Sequence, residues 1–281
     1  MLVRAALRIG AALGWIAFHL VRVRRAHVEA SLGRAGLDPG VAPEVYRELG
    51  VGLAEVVVAR WRPDAARARV VIEPSAREAL ERARAAGPVI LACSHTGNWE
   101  AAAFACARIA PLACVVKPIS NRVIDALCTH VRARMGLRLL SPAGALRAGA
   151  QALADGLLVA MVIDQVPSDE AHGVWAPFLG APALVDRGPF TLAARTGATV
   201  LVTCARRDAD GITRVEVVGA LAPPAKGRAA WIGSAARGST ALLSAFVRAN
   251  PSSWLWLHRR WKAPPTRRRA GLTLAAGSST R

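Results

Sequence analysis

Short apolar runs alternate with helix-forming segments through most of this chain, and this alternation constrains the fold more than any other feature. The runs predict strands at residues 70–72, 88–93, 113–117, 137–140, 157–163, 199–204 and 215–218. Segments with helical spacing of apolar residues separate most of these runs. Strands that alternate with helices are typical of an α/β fold, here with a mostly parallel central sheet flanked by helices.

A polar turn follows the second of these runs, and it carries a histidine and a carboxylate. His95 and Glu100 enclose Thr-Gly-Asn-Trp, and an alanine-rich segment comes next. This order predicts a strand that ends in a loop opening a helix. We expect His95 to act as a general base and Glu100 to hold the tautomer of its ring. The alternative is a solvated loop whose polar residues only cap the helix.

Other polar residues also follow predicted strands. Lys117 ends the run 113–117, Asp164 and Gln165 follow the run 157–163, and Arg132 lies near the end of a helix predicted at 121–135. Ligands in open α/β sheets bind outside the carboxyl ends of the strands. We therefore expect these residues to converge with His95 on an anionic substrate. Taken singly, Asp164 is better explained as a helix or turn cap and Arg132 as part of a solvated helix face; taken together, these explanations weaken.

The five cysteines, at positions 93, 106, 114, 128 and 204, form no C-x-x-C pair and lie mostly in apolar runs. This pattern predicts buried free thiols in a reducing compartment. A Cys93–His95 nucleophile is the weaker interpretation, because nothing marks Cys93 as exposed and electropositive. A hydrolase built on Cys93 or Ser94 also lacks the G-x-S-x-G elbow. No residue spacing predicts a metal site or a cofactor.

The chain is both basic and apolar, with a net charge of +18 and 53% hydrophobic residues. These values favour an anionic membrane surface, an acidic ligand or an acidic protein partner. Nucleic acid is disfavoured, because zinc-ligand spacing, an aromatic RNA-binding signature and a basic zipper are all missing from the sequence. A non-catalytic protein that binds membranes or nucleic acid through its basic surface stays open as an alternative.

Three regions are predicted along the chain: a membrane-associated helix in 1–34, a catalytic domain in 35–263 and a basic disordered tail in 264–281. The apolar stretch 9–21 is followed by Arg22, Arg24 and Arg25, so we expect a helix that inserts into the membrane or lies in its interface. An ordinary core helix is the alternative.

Two later stretches leave two interpretations each. The apolar residues and glycines of 173–180 suit either a groove for a hydrocarbon chain or a packed loop. The tryptophans and cations of 254–262 suit either a membrane interface or an edge strand packed on the core.

The ordered motifs together resemble those of the late acyltransferases of lipid A biosynthesis, the lauroyl and myristoyl transferases. They are His95-Thr-Gly-Asn-Trp-Glu100, Lys117-Pro, Asp164-Gln165, Pro177-Phe-Leu-Gly, Gly188-Pro, Thr196-Gly-Ala, and Trp254-Leu-Trp-Leu-His-Arg-Arg-Trp-Lys. The resemblance extends from the N-terminal helix to Lys262. The H-x4-E motif is shared with many glycerolipid acyltransferases, whereas the full ordered set is much more specific.

The resemblance implies an enzyme on the cytoplasmic face of the bacterial inner membrane. Such an enzyme transfers an acyl chain from acyl carrier protein to a hydroxyl of an anionic lipid A precursor, with His95 and Glu100 as its catalytic pair. Lys117, Arg132, Asp164 and Gln165 fall on substrate-binding positions. Residues 166–172 and Asp186-Arg187 depart from the family pattern. The same chemistry on a phosphatidylinositol mannoside, an ornithine lipid or a glycerol lipid is therefore the alternative.

Overall fold

The computed structural model describes residues 2–261, so the tail predicted at 264–281 lies outside the described residues. Its helices are α1 (Leu2–His19), α2 (Arg25–Arg34), α3 (Ala42–Trp61), α4 (Pro63–Arg67), α5 (Pro74–Ala86), α6 (Trp99–Ala107), α7 (Arg122–Arg134), α8 (Ala145–Ala154), α9 (Gly188–Thr196) and α10 (Arg228–Ala249). Its strands are β1 (Val70–Ile72), β2 (Val89–Cys93), β3 (Leu112–Val115), β4 (Leu137–Leu140), β5 (Leu158–Val162), β6 (Gly173–Phe178), β7 (Ala181–Asp186), β8 (Thr199–Arg207) and β9 (Thr213–Leu221).

Seven of the strands form one sheet, in the order β1-β9-β8-β2-β5-β3-β4. The strands β8, β2, β5, β3 and β4 run parallel, whereas β9 is antiparallel to β8 and pairs in parallel with β1. The predicted α/β class with a mostly parallel sheet is therefore confirmed. The β2, β5 and β3 strands are neighbours, so their carboxyl ends meet at one edge of the sheet.

Apolar side chains cover both faces of the sheet. Along β2, Ile90 and Ala92 join a core with α8, α9 and α10, while Val89 and Leu91 join a second core with α5, α6 and α7. Successive strand residues point to opposite faces, so an unbroken apolar run is what a strand covered on both sides requires.

The stretch 173–186, which the sequence did not resolve into strands, forms the separate antiparallel hairpin β6–β7. Leu179 and Gly180 make the turn with positive φ. Prolines 177 and 182 face each other in the two strands, and proline is a signal against strand structure. Phe178 and Leu179 are fully buried. These two side chains pack on the core, as one of the two interpretations of 173–180 predicts, whereas Trp175 and Pro177 are exposed.

The tryptophans after α10 also belong to the core. Trp254 and Trp256 are fully buried, and Trp254 bridges to Thr96. The membrane-interface interpretation is wrong for these two side chains, because each donates its indole N–H inside the protein, to Asp164 and to the carbonyl of Pro251 respectively.

The N-terminal helix α1 is the one helix within residues 2–261 that is long and apolar enough to cross a membrane, judged by length and composition. In the structure it packs along α3. The close approach is made by Gly10 and Gly14, whose Cα atoms face the backbone of Gly50 and Tyr46.

Candidate active site

The loop between β2 and α6 is fixed in a conformation that glycine permits. Gly97 has a φ of +54°, and a Cβ there would lie 2.7 Å from the carbonyl oxygen of Ala205. The Gly97 N–H donates to the Ser253 carbonyl at 2.6 Å, and Thr96 Oγ1 accepts the Ala205 N–H at 2.9 Å. The loop is therefore held between β8 and the segment that follows α10.

His95 contacts a buried carboxylate, and that carboxylate belongs to Asp164. The His95 Nδ1 lies 2.9 Å from Asp164 Oδ1, and the His95 backbone N–H donates to Oδ2 at 2.7 Å. Trp254 Nε1 donates to the same Oδ2 at 3.0 Å. Asp164 follows β5 and His95 follows β2, so the adjacency of these strands brings the pair together.

The surroundings of Asp164 keep it ionised. Burial raises the pKa of its carboxyl, but the adjacent His95 and the hydrogen bonds from His95 outweigh burial and hold the pKa well below its ordinary value. A carboxylate only accepts hydrogen bonds, so the Nδ1 of His95 carries a proton. The nitrogen left to accept a proton in a reaction is Nε2.

The expected orientation of His95 by Glu100 is wrong. Both carboxylate oxygens of Glu100 bind Arg132 of α7, one at 2.9 Å from Arg132 Nε and the other at Arg132 Nη2. Glu100 lies in the first turn of α6, beyond the sharp turn at Gly97, and therefore points toward α7. Burial lowers the pKa of the Arg132 guanidinium, but the bond to Glu100 outweighs it and raises the pKa.

A buried ionic cluster supports the other side of the loop. Asn98 caps α6 by accepting the Ala101 N–H, and its Nδ2 donates to Glu55 of α3 at 2.7 Å. Arg207 of β8 donates to both oxygens of Glu55 at 2.8 Å. Burial raises the pKa of Glu55, but Arg207 outweighs it and keeps that pKa low. The cluster ties α3, β8 and α6 together behind His95.

Two rings contact the ring of His95 edge-on. Trp99 lies at 4.9 Å and His258 at 4.8 Å between ring centroids. Burial, followed by the proximity of His95, lowers the pKa of His258 to about 4, so its ring is neutral at pH 7. The sequence prediction missed His258, because nothing in its local sequence connects it to a histidine 163 positions earlier.

This arrangement, a histidine held by a buried carboxylate at the carboxyl edge of a parallel sheet, occurs in a chain that matches a known family. The family model described as bacterial lipid A biosynthesis acyltransferase matches residues 3–263. The chain belongs to this family. A search of the curated proteins finds no match.

The remaining substrate-binding candidates of this acyltransferase lie near the same edge but do not contact His95. Lys117 is exposed, beyond the end of β3, and Gln165 is half-buried directly after Asp164. The described residues include no hydrogen bond or ion pair from either side chain. The structure thus joins His95 with Asp164 and Glu100 with Arg132, and it leaves Lys117 and Gln165 at the rim.

The thiol nearest to the site is not suited to nucleophilic attack. Cys93 donates to the Leu91 carbonyl, and burial raises the pKa of its thiol to about 11. Ser94 is buried and bonds to Thr96 at 2.9 Å. The Cys–His interpretation is therefore wrong, and His95 is the group of this loop that remains able to act on a substrate proton.

Proposed function

We propose that this acyltransferase moves a fatty acyl group from acyl carrier protein to a hydroxyl of a lipid A precursor at the inner membrane. The observation that supports this proposal most is the His95–Asp164 pair. It supplies a base next to a buried carboxylate, while Cys93 and Ser94 offer no activated nucleophile. A thioester is already activated, so direct transfer needs a base and stabilisation of the oxyanion.

In the proposed reaction, the acceptor hydroxyl oxygen attacks the thioester carbonyl while Nε2 of His95 takes the hydroxyl proton. The negative charge passes to the carbonyl oxygen of a tetrahedral intermediate. When the carbonyl reforms, the C–S bond breaks, and the imidazolium of His95 returns the proton to the departing thiolate. Asp164 holds the proton on Nδ1 and stabilises the imidazolium, the role first expected of Glu100.

Glu100 and Arg132 take a different part in this proposal. Their ion pair fixes the end of α7 beside the first turn of α6. The amide N–H groups of that first turn and the guanidinium of Arg132 are positively polarised. We assign them to the developing oxyanion and to the phosphates of the acceptor, with Lys117 and Gln165 at the rim for substrate binding.

The proposed acceptor and acyl donor are consistent with the charge of the chain. A chain with a net charge of +18 suits a phosphorylated lipid acceptor and an acidic carrier protein. The departures from the family pattern fall in the loop 166–172 and at Asp186-Arg187. The Asp186 carboxylate accepts the Gly188 N–H at 2.7 Å and caps α9. These departures lie outside the His95–Asp164 pair, so they bear on the acceptor rather than on proton transfer.

The test of the reaction is His95→Ala, assayed in membranes with acyl-loaded carrier protein and the lipid A precursor. We expect transfer to fall to background while the amount of folded protein stays the same. His130→Ala is the matched control, because His130 is exposed and its ring contacts Arg60, which has no part in the proposed reaction. Full activity of His95→Ala contradicts the proposed role.

The acceptor is tested separately by mass spectrometry of lipids from a strain that lacks the gene. Loss of one acyl chain from lipid A supports the proposal. Loss of an acyl chain from a phosphatidylinositol mannoside, an ornithine lipid or a glycerol lipid would support the proposed acyl transfer but identify a different acceptor.

A further inference from the structure

The inner face of α1 is covered by another helix of the same chain. Gly10 and Gly14 form a G-x-x-x-G sequence, a spacing that lets two helix backbones approach closely. Here the partner helix is α3: any Cβ on Gly10 would clash with the Gly50 backbone, and any Cβ on Gly14 with the Tyr46 backbone. Residue 10 lies at residue 50 and residue 14 at residue 46, so α1 runs antiparallel along α3.

The α3 helix cannot leave the catalytic domain. Its Glu55 is buried and bound by Arg207 of β8, by Arg69 and by Asn98, and its Glu48 also binds Arg207. Removing one partner of such a buried network is strongly destabilising. Since α1 lies along a helix that is fixed to the sheet, α1 lies on the surface of the domain. A spanning orientation would require α1 to separate from α3.

The outer face of α1 carries an apolar stripe. Its members share one side of the helix, at spacings of seven, four and three residues, and all are exposed: Leu2, Ile9, Leu13 and Ile16. Leu20, directly after the helix, is also exposed. Arg4, Arg8 and Trp15 recur at helical spacing on the neighbouring flank, also exposed. An apolar stripe beside arginines and a tryptophan is typical of a helix that lies in a membrane interface.

A second apolar stripe lies on α3. Leu53, Val57 and Trp61 are exposed at four-residue spacing, and Trp61 is 70% exposed. They recur three, seven and eleven residues after Gly50, so they share the side of α3 that faces α1. Because the helices are antiparallel, this stripe borders the N-terminal half of α1 and continues its apolar surface.

We propose that the stripes of α1 and α3 form one docking surface for an anionic lipid bilayer, on which α1 lies in the plane of the interface and does not span. The apolar stripes favour lipid over nucleic acid, and the exposed arginines 4, 8, 22 and 24 favour anionic headgroups. The biological meaning of this surface rests on the proposed function. The surface identifies the side of the protein from which the lipid acceptor reaches the site.

The turn after α1 connects this surface to His95. Tyr46 donates its hydroxyl proton to the Val23 carbonyl, and Arg24 donates to the Leu257 carbonyl at 2.9 Å. The His27 ring contacts the carbonyl of His258, whose own ring packs on His95. A bilayer in contact with α1 and its turn therefore lies beside the segment that contacts the base.

The orientation of α1 is tested with Arg4→Cys and Arg22→Cys, each made in the full chain and labelled with a membrane-impermeant maleimide. The α1 helix is about 27 Å long, close to the thickness of the hydrocarbon core, and Arg4 and Arg22 lie near its two ends. Docking in plane predicts that both react in inverted membrane vesicles and neither reacts in right-side-out vesicles. Reaction of the two positions from opposite faces overturns the proposal. The unsubstituted chain gives the background from its own cysteines.

The α3 stripe is tested by flotation with vesicles of phosphatidylglycerol and phosphatidylethanolamine. Trp61→Gln is expected to weaken binding about tenfold, whereas Trp175→Gln, at a 48% exposed tryptophan on β6, leaves it unchanged. Equal binding by both variants overturns the proposal. So does a Trp61→Gln variant that dissociates a dimer in sedimentation but floats normally, because the surface then binds a second copy.

Acyl transfer in detergent micelles separates this proposal from the proposed function. Trp61→Gln is expected to keep the full rate on a detergent-dispersed acceptor, because Trp61 has no part in the proposed reaction. If the unchanged protein floats with vesicles but transfers no acyl group in any medium, the proposed function fails and the docking surface stands.

Discussion

The two carboxylates near His95, Asp164 and Glu100, differ in what they bind and in how deeply they are buried. Asp164 is fully buried and accepts from the ring of His95, the His95 backbone and the Trp254 indole. Glu100 keeps slight exposure and gives both oxygens to Arg132. Both oxygens of Glu100 are directed at Arg132, whereas the ring nitrogen Nδ1 of His95 is directed at Asp164. In the proposed reaction, Glu100, which is nearer to His95 in sequence, positions the charge of Arg132, and Asp164, which is farther away in sequence, supports His95 as the base.

A substitution at Asp164 is the most direct test of this difference between the two carboxylates. Asp164→Asn keeps the shape but removes the charge and allows the wrong tautomer of His95, so kcat is expected to fall about 10³- to 10⁴-fold. The measurement is kcat with acyl-loaded carrier protein in membranes. A variant that keeps most of the wild-type rate would show that Asp164 is only a structural cap.

The turn that separates the two carboxylates is tested by Gly97→Ala. A side chain there requires positive φ and meets the Ala205 carbonyl oxygen at 2.7 Å, so we expect about 3 kcal/mol less unfolding free energy. Urea denaturation gives the value. Gly136→Ala is the control, because Gly136 also has positive φ but open space around it. An equal loss of unfolding free energy in both variants would mean that the structure relaxes around the new Cβ, so that its contact with Ala205 does not destabilise the fold.

The Glu100–Arg132 pair is tested by Glu100→Gln, Arg132→Gln and the double variant. Removing a charged hydrogen-bond partner is expected to lower kcat/KM about 10- to 100-fold, and the double variant is expected to lose less than the two singles combined. The pH dependence of kcat should stay that of the wild type in Glu100→Gln and change in Asp164→Asn. A changed pH profile in Glu100→Gln would restore Glu100 as the partner of His95.

The smallest expected effect concerns His258 and the stability of the fold at mildly acidic pH. Its folded pKa of about 4 lies below the ordinary value of 6.5. As pH falls from 6.5 to about 4, the unfolded chain binds a proton that the folded chain does not, so unfolding free energy falls. Asp164, whose pKa is depressed from 3.8, adds its own loss only at lower pH.

The measurement for His258 is the urea midpoint at pH 7 and pH 5, for wild type and His258→Asn. The variant is expected to lose less stability between these two pH values. An identical loss in both proteins would show that other groups account for the acid sensitivity.

The sequence determined the class of fold and the edge of the sheet at which the polar residues gather. The unbroken apolar runs predicted strands covered on both faces, and the polar residues after them marked the carboxyl ends at His95, Lys117 and Asp164. These signals are local, because the burial of a segment and the position of a turn can be predicted from the types of neighbouring residues. The β6–β7 hairpin was missed for the same reason, since its prolines 177 and 182 argue locally against strands.

The tertiary structure alone decided which residues touch. Strand order placed β5 beside β2, which put Asp164 on His95, and the Gly97 turn sent Glu100 toward Arg132. The packing of Gly10 on Gly50 likewise decided that the apolar N-terminal helix lies on the domain. A sequence pattern records what each residue can bind. Which partner it does bind depends on distances between segments far apart in the chain, and these are set only when the sheet and helices pack together.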